Sequence, residues 1–132
     1  VQFLGHVTDE HRQQLMSKAR SVIVSALEDY GLVPIEANAS GTPVIAYGAG
    51  GVLDTQIHNQ TGILFDEQTS SSLQDAVQDF SNKDWNYRFI HEHAIQNFSE
   101  IVFFEKIDRV IDGILKGQPF ENLLKDTAVT VG

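Results

Sequence analysis

Two carboxylates separated by seven residues, Glu28 and Glu36, enclose the run Asp29-Tyr30-Gly31-Leu32-Val33-Pro34-Ile35. The chain continues as Ala37-Asn38-Ala39-Ser40-Gly41-Thr42-Pro43-Val44-Ile45-Ala46, so the region reads as strand, turn, helix, glycine stop and strand. The helix is expected to begin near Leu32, to hold Pro34 in its first turn where a missing N–H costs little, and to end at Gly41. Gly31 lets backbone approach closely, and the first N–H groups of a helix have no intrahelical partner; together they make an anion site suited to a phosphate ester. Carboxylates beside a phosphate repel it, so Glu28 and Glu36 are read as acceptors for hydroxyl groups on either side of the phosphate. Hydroxyls flanking a phosphate on both sides describe a sugar nucleotide. Asp29 has two readings, a hydrogen bond to a donor hydroxyl or a helix cap.

Such a turn needs a rigid frame, and alternating apolar runs supply one. Phe3 and Leu4 within Val1–Gly5 read as a first strand, and Thr8 is a candidate N-cap for a helix reaching about Arg20, with Leu15, Met16 and Ala19 inward. Ser21–Ser25, Pro43–Ala46 and Gly62–Phe65 read as three further short strands, with a short helix over Val52–Ile57. Helices are expected over Ser70–Phe80, Trp85–Phe98 and Glu100–Lys116, where Trp85, Phe89, Ile90, Phe98, Phe103, Phe104, Ile107, Ile111 and Ile114 recur at packing intervals. The fold class is therefore α/β, a Rossmann-like parallel sheet with flanking helices and right-handed connections. No internal repeat or low-complexity tract interrupts it.

Other chemistry-bearing residues are weaker candidates. Gly48-Ala49-Gly50-Gly51 lacks the Gly-x-Gly-x-x-Gly spacing of a dinucleotide loop and is read as approaching the bound sugar, with a plain tight turn as the alternative. His91 and His93 flank Glu92, but residues two apart on a helix diverge, so packed or solvated histidines are favoured over metal ligands. His6 and His58 flank apparent strand ends and are read as ordinary loop residues, with a place lining the cleft as the alternative. The Asn-x-Ser/Thr matches at Asn38, Asn59 and Asn97 are read as chance, with Asn38 inside a helix.

Composition narrows the classes further. The 132 residues fit one domain, and a formal charge of −9 argues against a nucleic-acid partner, which would need a basic patch. None of the nine Lys and Arg residues lies between Ser21 and Asn82, so the motif segment carries no side-chain cation of its own. The absence of cysteine excludes disulfides and thiolate metal sites. No signal peptide or long apolar span is present, and the protein is expected to be cytoplasmic, at a membrane surface if a further lobe docks there.

The ordered set Phe3-Leu4-Gly5, Val22 to Ala46, Gly50-Gly51 and Thr61-Gly62-Ile63-Leu64-Phe65 resembles the retaining, nucleotide-sugar-dependent glycosyltransferases of the GT-B fold. The resemblance implies that Glu28 contacts the donor hexose and serves the catalytic step, and that Glu36 binds the ribose hydroxyls. It further implies that backbone at Tyr30, Gly31, Leu32 and Val33 faces the hexose and the diphosphate. Asp29-Tyr30 stands where Gly-Phe is commonest, which is similar to bacterial mannosyltransferases that use GDP-mannose; Asp54 stands where Glu is more usual. Residues 1–132 would form part of a C-terminal donor-binding lobe, with the N-terminal acceptor lobe, the start of the C-terminal lobe and its phosphate-binding Arg and Lys outside the sequence. The last helix would cross back to the N-terminal lobe, leaving apolar surface over Phe103–Leu115.

On this resemblance the function is retaining hexosyl transfer from a nucleotide-diphosphate sugar to a saccharide or lipid-linked acceptor. No metal and no cofactor are expected, and this stretch alone is expected to transfer no sugar and to self-associate through its open strand edge and apolar helix faces. A sugar-nucleotide epimerase of the same fold and a non-catalytic nucleotide-sugar-binding module stay open; release of an isomerised hexose without acceptor would mark the first.

Overall fold

A computed structural model describes residues 1–125; residues 126–132, which the sequence assigns to the same domain, lie outside the described part. The first element is helix α1, Asp9–Lys18, opened by the Thr8 hydroxyl accepting from the His11 N–H at 3.3 Å. Asp9 and Glu10 sit in its first turn and Lys18 in its last, the arrangement that complements the helix dipole. Strand β1 (Val22–Val24), helix α2 (Leu32–Ala39), strand β2 (Val44–Tyr47), the short helix α3 (Val52–Thr55) and strand β3 (Gly62–Phe65) follow. Four helices complete the described chain: α4 (Ser70–Ser81), α5 (Tyr87–Phe98), α6 (Glu100–Leu115) and α7 (Phe120–Lys125).

The three strands form one parallel sheet in the order β1-β2-β3. The sheet is buried on both faces, so β2 is apolar at successive positions rather than at alternate ones. Val44 and Ala46 join Val24, Ala37 and Val52 on the face covered by α2, whereas Ile45 joins Ile63, Phe65, Ala76 and Phe80 on the face covered by α4. Trp85 closes the second cluster, stacked on Phe80 at a ring separation of 5.1 Å. No helix among the described residues is long and apolar enough to cross a membrane.

Three expectations need correction. Val1–Gly5 is not a strand: Phe3 and Leu4 are exposed, and neither edge of the described sheet pairs with them. Apolar residues favour extended backbone, but a strand persists only where a neighbour satisfies its N–H and C=O groups. The described sheet therefore has three strands rather than four, and the argument for self-association through a Val1–Gly5 edge falls. Leu15 is exposed while Met16 alone of α1 is buried, because α1 packs chiefly on α2 and turns only that side chain inward. On α6, Phe103, Phe104, Ile107, Ile111 and Ile114 are exposed rather than packed, as the apolar surface expected over Phe103–Leu115 requires.

Helix α5 lies across α2 and buries His93 between the rings of Phe89 and Phe98. The Asn97 amide donates to His93 Nδ1 at 3.3 Å, which places the proton of the neutral ring on Nε2. That atom is buried without a partner of regular geometry. Burial pushes the imidazole below its ordinary pKa, and the Thr55 backbone carbonyl opposes this more weakly. A histidine with a depressed folded pKa contributes stability fully present above the unfolded value, near 6.5, and lost as pH falls toward the folded value. Urea unfolding should therefore show stability declining below pH 6.5 with a slope of up to about 1.4 kcal/mol per pH unit. His93→Gln should flatten that dependence; an unchanged slope would show that other groups govern it.

Candidate functional site

The residues between the two glutamates leave β1 at its C-terminal end and enter α2, the position at which open parallel sheets bind ligands. Gly31 is the N-cap of α2 with φ +84°, a left-handed conformation that favours glycine, and no side chain caps the helix. This removes the capping reading of Asp29, whose side chain is exposed. The Ile35 N–H reaches the Gly31 carbonyl at 3.3 Å, and Pro34 has no N–H, so Leu32 and Val33 carry the unpaired donors of the first turn. The α2 N-terminus thus presents two backbone donors and the positive end of a helix dipole.

A second loop holds this turn from below. The Gly51 N–H donates to the Glu28 carbonyl at 2.8 Å, and Glu28 forms a parallel bridge with Gly50. The approach leaves no room for side chains: a Cβ at Gly50 would overlap the Glu28 carbonyl, and one at Gly51 would overlap the backbone of Asp29 and Tyr30. Gly48–Gly51 forms the tight turn held as the alternative reading of this loop, and it packs directly against the Glu28–Gly31 turn. Asp54 in α3 is exposed and lines, with Tyr30, Leu32, Phe103 and Lys106, an apolar cavity of about 560 Å³ beside the α2 N-terminus. Lys106 Nζ lies 3.5 Å from the Asn97 carbonyl oxygen there.

Glu36 lies in the middle of α2, half-exposed, and meets a partner that the linear order of residues conceals. Arg12 of α1 places Nη2 3.3 Å from Glu36 Oε1 and 3.2 Å from Asp9 Oδ1. Arg12 is 24 residues away from Glu36, outside the cation-free stretch, and only the packing of α1 on α2 brings them together. Glu28, Asp29, Tyr30, Gly31, Leu32 and Val33 therefore form one continuous turn, while Glu36 faces α1 one helical turn further along. Glu28 is half-buried, whereas the Tyr30 and Leu32 side chains are exposed.

The remaining candidates serve structure. His58 Nδ1 accepts the Leu64 N–H at 3.0 Å, satisfying an edge donor of β3, and His6 is exposed. His91 meets the Ala39 carbonyl at 2.6 Å while His93 turns into the core, so the two do not converge. Among the described residues no group of three or more His, Asp or Glu side chains lies close enough to hold a metal ion. Asn38 is 1% exposed within α2 and donates to the carbonyls of Thr42 and Thr61, a structural role.

Comparison with known proteins agrees with this frame. The family model described as glycosyl transferases group 1 matches residues 1–98. The chain is 32% identical over 104 residues to an uncharacterized glycosyltransferase of Methanocaldococcus jannaschii, covering 78% of the chain and 26% of that protein. It is 31% identical over 114 residues to the D-inositol 3-phosphate glycosyltransferase of Corynebacterium diphtheriae, covering 83% of the chain and 27% of that protein. It is 43% identical over 51 residues to the GDP-mannose-dependent alpha-(1-6)-phosphatidylinositol monomannoside mannosyltransferase of Mycobacterium tuberculosis, covering 39% of the chain and 13% of that protein. The chain thus spans about a quarter or less of the length of these relatives.

The backbone contact between the two loops makes Gly51 the most sterically constrained position of the site. Gly51→Ala should cost about 2–4 kcal/mol in urea unfolding, because neither the Asp29 carbonyl nor the Tyr30 backbone can yield as a flexible side chain would. Gly117→Ala, with open space around the position and a φ of +73°, should cost only the smaller backbone strain of about 1 kcal/mol. Equal losses at the two positions would show that the loops can part without consequence.

Proposed function

The chain belongs to the glycosyl transferases group 1 family, and on that premise we propose that it supplies the donor-binding part of a retaining hexosyltransferase of the GT-B type. In this reading residues 1–132 are part of the C-terminal lobe, and the acceptor lobe and the start of the C-terminal lobe lie elsewhere in the full-length protein. The donor is a nucleotide-diphosphate sugar, with GDP-mannose favoured by the Asp29-Tyr30 turn and by the mannosyltransferase among the relatives. The acceptor is a saccharide or a lipid-linked molecule, a class that includes the phosphatidylinositol monomannoside in the name of that relative.

The observation that carries the proposal is the uncapped, donor-bearing start of α2, held open by two loops that meet backbone to backbone and flanked by one glutamate on each side. The diphosphate would lie at the Leu32 and Val33 N–H groups, the hexose beside Glu28 and the Asp29–Tyr30 backbone, and the ribose hydroxyls against Glu36. As the anomeric bond breaks, negative charge grows on the leaving diphosphate. Oriented N–H dipoles stabilise that charge without reorganising at the moment of reaction. No metal is assigned to this step, and no side chain is assigned as a covalent nucleophile. Glu28 would orient the hexose for cleavage.

The two glutamates should then fail differently in the full-length protein. Glu36→Ala should weaken GDP binding by roughly 1.5–3 kcal/mol, the worth of a charge-assisted hydrogen bond, with a matching rise in donor KM. Glu28→Ala should lower kcat while leaving GDP affinity nearly unchanged, because GDP carries no hexose. Calorimetric titration of GDP into both variants, paired with initial rates, makes the test. Equal loss of GDP affinity in both, or loss in neither, would remove the role assignment.

A further inference from the structure

We propose that Arg12 is a positioning residue for the nucleotide ribose, acting through Glu36; the inference rests on the reading of Glu36 as the ribose acceptor. Arg12 Nη2 engages Glu36 through Oε1 alone, at 3.3 Å, and among the described residues no donor engages Oε2. The same nitrogen touches Asp9 Oδ1 at 3.2 Å, so the guanidinium is fixed from two sides. Arg12 Nε is buried without a hydrogen-bond partner, and both Arg12 and Glu36 line a cavity of about 560 Å³ whose wall also includes Glu10, Gln13, Gln14 and Ser17.

These facts separate orientation from stability. The Arg12 and Glu36 side chains are 44% and 41% exposed, and at that exposure an ion pair adds little to folding. An unpartnered buried Nε further subtracts from any structural benefit. What the contact does achieve is geometric. A glutamate on a helix surface otherwise samples several rotamers, whereas one held at Oε1 presents Oε2 from a fixed direction beside the cavity. Ribose hydroxyls donating to Oε2 would meet a carboxylate already placed, which lowers the ordering cost of binding. Arg12 touches the carboxylate and not the hydroxyls in this arrangement, so its effect should appear only when those hydroxyls are present.

The experiment compares GDP with 2′,3′-dideoxy-GDP by calorimetry on the full-length protein. The wild type should bind the dideoxy nucleotide about tenfold or more weakly, since it lacks the groups that reach Glu36. Arg12→Met, which keeps an unbranched apolar stem, should weaken GDP about three- to tenfold and leave dideoxy-GDP within about twofold. Arg12→Lys should lie between, because a flexible ammonium keeps the charge without the planar fork; it carries the same comparison should the methionine variant fail to fold. Equal weakening of both nucleotides by the Arg12 variants would overturn the inference, since a guanidinium acting on the diphosphate or on the fold cannot distinguish them. A wild type that fails to distinguish the two nucleotides would instead overturn the ribose reading of Glu36 itself.

Discussion

The site depends on two stretches of backbone meeting with nothing between them. The 22-residue offset that pairs Val22 with Val44 and Val24 with Ala46 also pairs Glu28 with Gly50. The two chains therefore part after their strands, make separate loops and return in the register they left. Any side chain at Gly50 or Gly51 would break this return, because the atoms it would strike belong to the Glu28–Tyr30 backbone. The loop that carries the first glutamate is in this sense an extension of the sheet, and its rigidity comes from the ladder rather than from its own sequence.

Helix α2 is built to be tied at one end and open at the other. Near its C-terminal end, the buried Asn38 amide donates to the carbonyls of Thr42 at 3.0 Å and Thr61 at 3.2 Å, the residues leading into β2 and β3. The Thr42 hydroxyl donates to the Met16 carbonyl at 2.6 Å, bringing α1 into the same knot, and His91 meets the Ala39 carbonyl from α5. Each such bond contributes about 1 kcal/mol net, but their common effect is to locate the helix axis against four other elements. The N-terminal end has none of these ties, and the Leu32 and Val33 N–H groups there have no intrahelical partner. Rigid support behind an open end is what a preorganised site requires.

The parts of this arrangement that local punctuation controls were legible in the sequence. Gly31, Pro34 and Gly41 mark the bounds of α2, and Gly62–Phe65 is a strand over the expected residues, because glycine, proline and short apolar runs act within a few residues of themselves. What the sequence did not reveal depends on partners. Phe3 and Leu4 have the residue types of a strand, but type does not supply a neighbour. The spacing of Phe103, Ile107, Ile111 and Ile114 defines an apolar face on α6 without saying whether anything covers it. The pairing of Arg12 with Glu36 is the sharpest case, since a scan for cations near the motif in sequence passes over a residue that only the packing of α1 on α2 delivers.

That pairing bears on how the site handles charge. With no Lys or Arg between Ser21 and Asn82, the motif's own positive potential is the partial charge at the start of α2, about half an elementary charge. A full charge attracts an anion over a broad range of directions, whereas an N–H donor weakens steeply once its angle falls toward 120°. On the proposed reading, the motif's own contribution therefore rests on orientation, while full positive charge would come from the Arg and Lys that the resemblance places outside the sequence. Tilting the Leu32 and Val33 N–H groups would lose much of the interaction even if every residue remained in place. The glycine contact below the turn and the Asn38 knot behind the helix fix those two directions, so on that reading atoms that never meet the ligand would set how it binds.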